Sequence, residues 1–222
     1  MIKKVSSNLI KNYQVTEAFI QIDYLDGYSY IDRAGEIINK IVRDKKKIPL
    51  FDMRLEGLTI KDVDDLIPEL KISSNRLWIH FVEPKNLGNI HEKAKKIADE
   101  VFEILQPTIF QRVGWRTYFA RENSSPKSGP LNSFKNSNGL SDFDIENLVM
   151  RREYKEYVLR LEMSPVVKKD NPKQEAVLFD VDLGMKQDDD EEKQIIYTDV
   201  LSDIHKELKS EELLESFEEM VG

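Results

Sequence analysis

Thr108-Ile-Phe-Gln-Arg-Val-Gly-Trp-Arg-Thr-Tyr-Phe-Ala-Arg-Glu122 reads as one long β-strand with two differently dressed faces. Successive side chains of a strand point to opposite faces. Alternation therefore puts Ile109, Val113, Trp115, Thr117 and Phe119 on one face and Phe110, Arg112, Gly114, Arg116 and Tyr118 on the other. The first set has the composition of a core. The second sets two guanidinium groups beside a glycine that leaves room for an approaching backbone or ligand, an arrangement suited to an anion or a carboxylate. The competing reading is structural, because arginines on a half-exposed sheet face commonly pair with Asp or Glu of a neighbouring strand.

A chain of 222 residues with 40% hydrophobic residues can bury one large core or two small ones. No apolar run approaches the ~20 residues that cross a bilayer, and Met1-Ile-Lys-Lys-Val-Ser6 lacks the apolar segment of a secretion signal. The absence of cysteine excludes disulfides, zinc–thiolate sites and a cysteine nucleophile, and fits a cytoplasmic setting. A formal net charge of -8 and a pI of about 5.1 give a field that repels phosphate backbones and anionic membranes. Neither nucleic acid nor membrane is an expected partner.

Outward from the arginine strand the pattern is mixed. Residues 15–25 alternate as a strand and end at the Asp26-Gly27 turn, and Tyr30, Ile31, Ala34, Ile37, Ile38, Ile41 and Val42 recur at helical spacing before the basic run Arg43-Asp-Lys-Lys-Lys47. Residues 49–60 read as strand-like, 61–66 as a short helical turn before Pro68, and 76–83 as a strand before Pro84. Asn89 caps a second helix, with Glu92 three residues on and a stripe of Ile90, Ala94, Ile97, Ala98, Val101, Phe102 and Leu105 ahead of Pro107.

Residues 123–139 are rich in Ser, Asn, Pro and Gly and carry no acidic residue, which predicts a flexible loop. Beyond them, 143–152 reads as a short helix, and 154–167 and 176–185 as the two strands of a hairpin about Asp170-Asn-Pro172. The terminal helix carries Val200, Leu201, Ile204 and Leu208, then Leu213, Leu214, Phe217, Met220 and Val221, with Ser210 as a break or a second cap. It docks on the chain's own sheet or joins a second copy, so a homo-oligomer through this helix is one expectation. The whole predicts a single α+β domain over 1–222: a mainly antiparallel twisted sheet, possibly two related halves, with helices near 30–43, 90–105 and 199–221 on one face.

The chemistry-bearing residues are few. Ala176-Val-Leu-Phe-Asp-Val-Asp-Leu-Gly184 superficially resembles the Asp-x-Asp strand that opens haloacid-dehalogenase-type phosphatases, but Leu183-Gly184 stands where that family has Gly and then Thr or Val. Asp180 and Asp182 share one strand face and can pair with Arg112 or Arg116 on a neighbour. His80 is placed on the 76–83 strand, out of phase with Trp78, His91 in the first turn of the second helix and His205 in the last. No His-x-x-x-His or related spacing is present, so no metal or other cofactor is expected. The acidic run Asp188-Asp-Asp-Glu-Glu192 lacks the ligand spacing of a calcium loop. Phosphate-cradling glycine loops, the nucleophile elbow and kinase signatures are absent. The candidate ligand-binding residues are Arg112, Arg116, Tyr118, His80, Asp180 and Asp182, with no catalytic or metal-binding residue assigned.

Val15-Thr-Glu-Ala-Phe-Ile-Gln-Ile22, Arg112-Val-Gly-Trp-Arg-Thr-Tyr-Phe119, Val177-Leu-Phe-Asp-Val-Asp182 and Asp203-Ile-His205 resemble, in that order, segments of a sporadically distributed, uncharacterised bacterial family. That family has an Arg-Ile-Gly-Leu-Arg-Tyr-Ile-Asn strand, where this chain has Trp115 for Leu, Thr117 for Tyr and Phe119 for Asn. The resemblance implies an α+β fold and no reaction. The residues themselves favour a non-catalytic intracellular binding protein that recognises a protein or peptide partner. The alternative is an enzyme acting on an anionic small molecule held by Arg112 and Arg116, with His80 or the Asp180/Asp182 pair moving a proton.

Overall fold

The stretch around the two arginines forms the strand Phe110–Glu122, and its faces separate as alternation requires. Val113, Trp115 and Thr117 are completely buried and Phe119 nearly so, while Arg112, Arg116 and Tyr118 lie on the opposite face. Two residues depart from the expected division. The pairing with the first strand shifts between Asp23 and Tyr24, leaving Gln111 without a partner, so the phase inverts. Phe110 thereby turns to the helix side, with its ring 5.0 Å from Phe102 and 4.8 Å from Tyr197. Ile109, expected in the core, precedes the strand and is exposed.

The structure is a computed structural model that describes residues 13–43, 49–61, 68–122, 148–154, 157–168, 171–186, 194–213, 215 and 217. Its elements are β1 (Gln14–Tyr24), a 3-10 turn (Gly27–Ser29), α1 (Tyr30–Val42), β2 (Leu50–Arg54), β3 (Gly57–Lys61), β4 (Glu69–Ile72), β5 (Arg76–Val82), α2 (Leu87–Leu105), β6 (Phe110–Glu122), β7 (Leu148–Tyr154), β8 (Tyr157–Lys168), β9 (Asn171–Lys186) and α3 (Tyr197–Glu207). The strands form one sheet in the order β2-β3-β4-β5-β1-β6-β9-β8-β7, every neighbouring pair antiparallel. The fold is α+β. Two halves follow the same path: a first strand at the centre (β1, β6), a meander that returns to lie beside it (β2 to β5, β7 to β9), then a helix (α2, α3). The halves join where β1 pairs with β6.

The helices cover one face. Tyr30, Ala34, Ile37 and Ile41 of α1, the stripe from Ile90 to Leu105 of α2, and Val200, Leu201 and Ile204 of α3 are buried against the sheet at the spacing the sequence shows. Rows of apolar side chains meet them, such as Leu70, Ile79, Ile20, Trp115, Leu183 and Leu159, paired across successive strands and each no more than 1% exposed. Burying one such side chain contributes roughly 1.5–3 kcal/mol, so this layer supplies most of the driving force.

Local chemistry sets several boundaries differently from expectation. The cap of α2 is Asn86, whose side chain accepts the Asn89 N–H at 2.8 Å, so the helix starts earlier than a cap at Asn89. Gln106 ends it in the left-handed region (φ 47), with its N–H on the Phe102 carbonyl. Residues 49–60 form not one strand but the β2–β3 hairpin about a turn at 55 and 56. Lys61 belongs to β3, and the rest of the helical turn expected at 61–66 lies outside the described residues. The helix expected over 143–152 is contradicted by β7, because Leu148 to Tyr154 pairs with β8 along its whole length; 143–147 lie outside the described residues. The 123–139 loop, the 188–192 acidic run, Leu214, Met220 and Val221 also lie outside them. Ser210 breaks the terminal segment as expected, its hydroxyl accepting the Leu213 N–H, and Leu213 and Phe217 are buried.

Candidate functional site

Among the described residues no helix covers the opposite face of the sheet, and its four central strands carry the candidate residues. Pairing across the sheet sets His80, Phe19, Arg116, Asp182 and Arg160 in one row, and Trp78, Gln21, Gly114, Gly184 and Val158 in the next. Glu17, Tyr118, Asp180 and Glu162 form a third row, and Arg76, Asp23 and Arg112 a fourth. A concavity of about 310 Å³ lies over the seam of the two halves, lined by Phe19, Gln21, Trp78, Arg112, Gly114, Arg116, Tyr118 and Asp182.

Gly114 lines its floor, and Gly184 is the register partner of Gly114 on β9. Neither glycine is forced by packing: a Cβ on either would meet its nearest neighbours at 3.7 Å, an ordinary contact, and neither has a positive φ. The absence of two side chains here lets the Arg112 side chain lie down against the sheet. Arg112 extends over both, its guanidinium among the nearest atoms at 3.7–3.8 Å.

Charge is distributed unevenly. Arg116 and Arg160 stand opposite Asp182 in register, yet both reach diagonally to Asp180. Arg116 grips that carboxylate with two nitrogens, its Nε donating to Oδ1 at 2.8 Å, and Arg160 donates to Oδ2 at 3.1 Å while also holding Glu162. The hydrogen bond to Asp180 pushes the Arg116 pKa further up, so it stays charged. Asp180 is buried and satisfied. Asp182 has no hydrogen bond or ion pair among the described residues; burial pushes its pKa above the ordinary carboxylate value, against the pull of Arg112 and Arg116. Arg112 is exposed and likewise makes no ion pair or hydrogen bond among the described residues. The expected pairing with Asp180 or Asp182 is thus a two-nitrogen ion pair for Arg116, whereas Arg112 acts on Asp182 only through its charge.

Aromatic rings wall the other side. Phe19 stacks on His80 (4.2 Å between centroids, planes at 8°), lies 5.5 Å from Trp78 and meets Tyr118 edge-on at 5.9 Å. The Lys71 ammonium sits 4.6 Å over the Trp78 ring and the Arg116 guanidinium 5.1 Å over Tyr118. Burial raises the Tyr118 pKa, so its hydroxyl remains a donor. Gln21 gives its amide N–H to Asp23, which leaves its carbonyl as an acceptor at the concavity. His80 faces the same side as Trp78, not the opposite one, because residues two apart in a strand share a face; its Nε2 lies 3.2 Å from Glu17.

Thus Arg112, Arg116, Tyr118 and Asp182 converge, Asp180 lies beneath Arg116, and His80 stands behind Phe19 without lining the concavity. The residues not foreseen are Phe19, Trp78, Gln21 and Gly184. Their signal was present: a phenylalanine and a tryptophan on the polar phase of β1 and β5 are out of place for a solvated face. His91 and His205 are elsewhere, stacked on each other at 4.6 Å between α2 and α3, with the His205 ring 6.0 Å from Trp115. Among the described residues no cluster of three His, Cys, Asp or Glu could hold a metal ion, and no helix is long and apolar enough to cross a membrane. No protein-family model and no curated protein matches the chain.

Proposed function

We propose that the protein is a non-catalytic intracellular binding protein whose open sheet face takes an extended peptide or protein segment, with a carboxylate of the partner on Arg112 and an apolar or aromatic side chain against Phe19 and Trp78. The observation that carries this reading is an exposed Arg112 guanidinium that lies over the Gly114–Gly184 pair and makes no ion pair among the described residues. Two glycines side by side in central strands lose strand stability for no packing gain, and what they admit is the side chain of Arg112, the lining arginine that makes no ion pair or hydrogen bond among the described residues. Arginine suits planar carboxylates, Trp and Tyr beside it are the side chains that anchor partners, and the Gln21 carbonyl offers an acceptor to a backbone N–H.

The test is selection of peptides from a random display library on the wild-type protein, then affinity for Arg112→Ala and Gly114→Val. Selected peptides should carry a carboxylate next to an apolar residue. Arg112→Ala should weaken them at least roughly tenfold, the value of a charge-assisted hydrogen bond, and Gly114→Val should block them while the melting temperature holds. Peptides that bind both variants as tightly as wild type would refute the site.

A second reading, an enzyme acting on an anionic small molecule held by Arg112 and Arg116, draws on Asp182, a carboxyl with a raised pKa at the same concavity. It requires turnover of some anionic substrate that Asp182→Asn abolishes and Arg112→Ala impairs through KM.

A further inference from the structure

β2 is the outermost strand at one end of the sheet, and all five of its residues are exposed. Its apolar side chains belong to the core rows: Phe51 pairs with Ile60 and Met53 with Leu58, both completely buried, yet Phe51 is 55% and Met53 44% exposed, and Leu55 in the adjoining turn 86%. The apolar layer thus runs past the helices to a strand edge that no described residue covers. Residues 55 and 56 form a two-residue turn closed by Arg54 and Gly57. Alternation of an antiparallel ladder then aims the N–H and C=O groups of Phe51 and Met53 outward, ready to pair. Such edges are normally blunted by charge, proline or a covering element.

The sequence of this edge is self-complementary. Phe51-Asp-Met-Arg-Leu55 reads apolar, acidic, apolar, basic, apolar, so an antiparallel pairing of two copies about a two-fold axis at Met53 sets Asp52 against Arg54 of the second copy at both ends and Phe51 beside its Leu55. A two-fold one residue earlier would oppose Asp52 to itself, and one residue later Arg54 to itself and Asp52 to Glu56. Within one copy Arg54 already lies 2.8 Å from Asp52 on the same face, so the pairing builds a closed square of four alternating charges. We propose that β2 is a self-association edge: two copies join β2 to β2 in antiparallel register about Met53, continuing the sheet from one copy into the next with both open faces on one side.

The test is sedimentation equilibrium of the full chain over a wide concentration range, with Asp52→Arg, Arg54→Asp and an equimolar mixture of the two. The wild type should show a monomer–dimer equilibrium. Each single variant opposes like charges and should weaken the dimer at least roughly tenfold, whereas the mixture opposes Arg to Asp at every contact and should recover it. Both positions are exposed, so unchanged melting temperatures report intact folds. A wild type that stays monomeric throughout, a dimer indifferent to both single variants, or a mixture that fails to recover it would each overturn the proposal; the second outcome would point to β7 or the terminal segment as the contact.

Discussion

Three glycines separate what a glycine can be for. A Cβ on Gly27 would stand 2.3 Å from the Tyr24 ring and 2.8 Å from the Ser74 carbonyl, and backbone cannot yield. Gly27→Ala should therefore lose about 1–3 kcal/mol in denaturant unfolding, the usual cost of overpacking. Gly114→Ala and Gly184→Ala meet nothing closer than 3.7 Å, and alanine should stabilise either strand by roughly 0.5–1 kcal/mol; a loss at either position would show that the floor is structural. Asp182 extends the same logic. Its folded pKa lies above the ordinary 3.8 because burial penalises the charge, so between the two values the folded state holds more protons than the unfolded state and stability falls as pH rises. The penalty is complete at neutral pH. Asp182→Asn should melt higher than wild type at pH 7, and the gain should vanish below the ordinary carboxylate value; equal melting at pH 7 would mean that the carboxylate is satisfied.

At the level of elements, the contact of α3 with α2 and β6 includes two stacked histidines beside its apolar residues. His205 is pushed down to about 4 by burial first, then by His91 and Lys209, and His91 is lowered by burial and Lys95 against the opposite pull of Glu92. His91 Nε2 lies 3.3 Å from the Ser202 hydroxyl, and Trp115 Nε1, Thr117 Oγ1 and His205 Nε2 are buried without a hydrogen-bond partner among the described residues. These rings pack as neutral groups. Because the folded pKa of His205 is below the unfolded 6.5, the unfolded state binds more protons between them, and stability should be full above about 6.5 and fall as pH drops to about 4. Thermal melts from pH 7 to pH 4 should show this loss, and His205→Asn should flatten the profile after correction for its own offset. An unchanged slope in that variant would place the acid sensitivity elsewhere.

Across the whole molecule, protection should follow distance from the seam. β5, β1, β6 and β9 are paired on both sides beneath the helices, whereas β2 and β7 end the sheet. Amide exchange of dilute protein should be slowest in those four strands and fast in β2, because local opening at an edge breaks few contacts. At high concentration the outward amides of Phe51 and Met53 should slow selectively if copies pair there. Fast exchange in β1 or β6 would show that the halves open separately, and the site over their seam would then be transient.

Periodicity made much of the fold legible. The stripes of α1, α2 and α3, the two faces of β6 and the hairpin of β8 and β9 follow from side-chain spacing, which is local. The errors were local competitions too: Asn86 outcompeted Asn89 as a cap, and a bulge at Gln111 inverted the phase of Phe110. β7 shows a different limit, since residues 148–154 take strand form by pairing with β8, a tertiary effect that no propensity of their own announces. At the site, the shared face of Arg112, Arg116 and Tyr118 was readable within one strand. Which arginine is occupied was not, because that depends on the side-chain reach that takes Arg116 and Arg160 diagonally to Asp180 and on the register that brings Gly184 beside Gly114. Pairing between strands far apart in the chain is set by the closing of the whole sheet, so the sequence named the charged groups and only the assembled sheet determined which of them form ion pairs among the described residues.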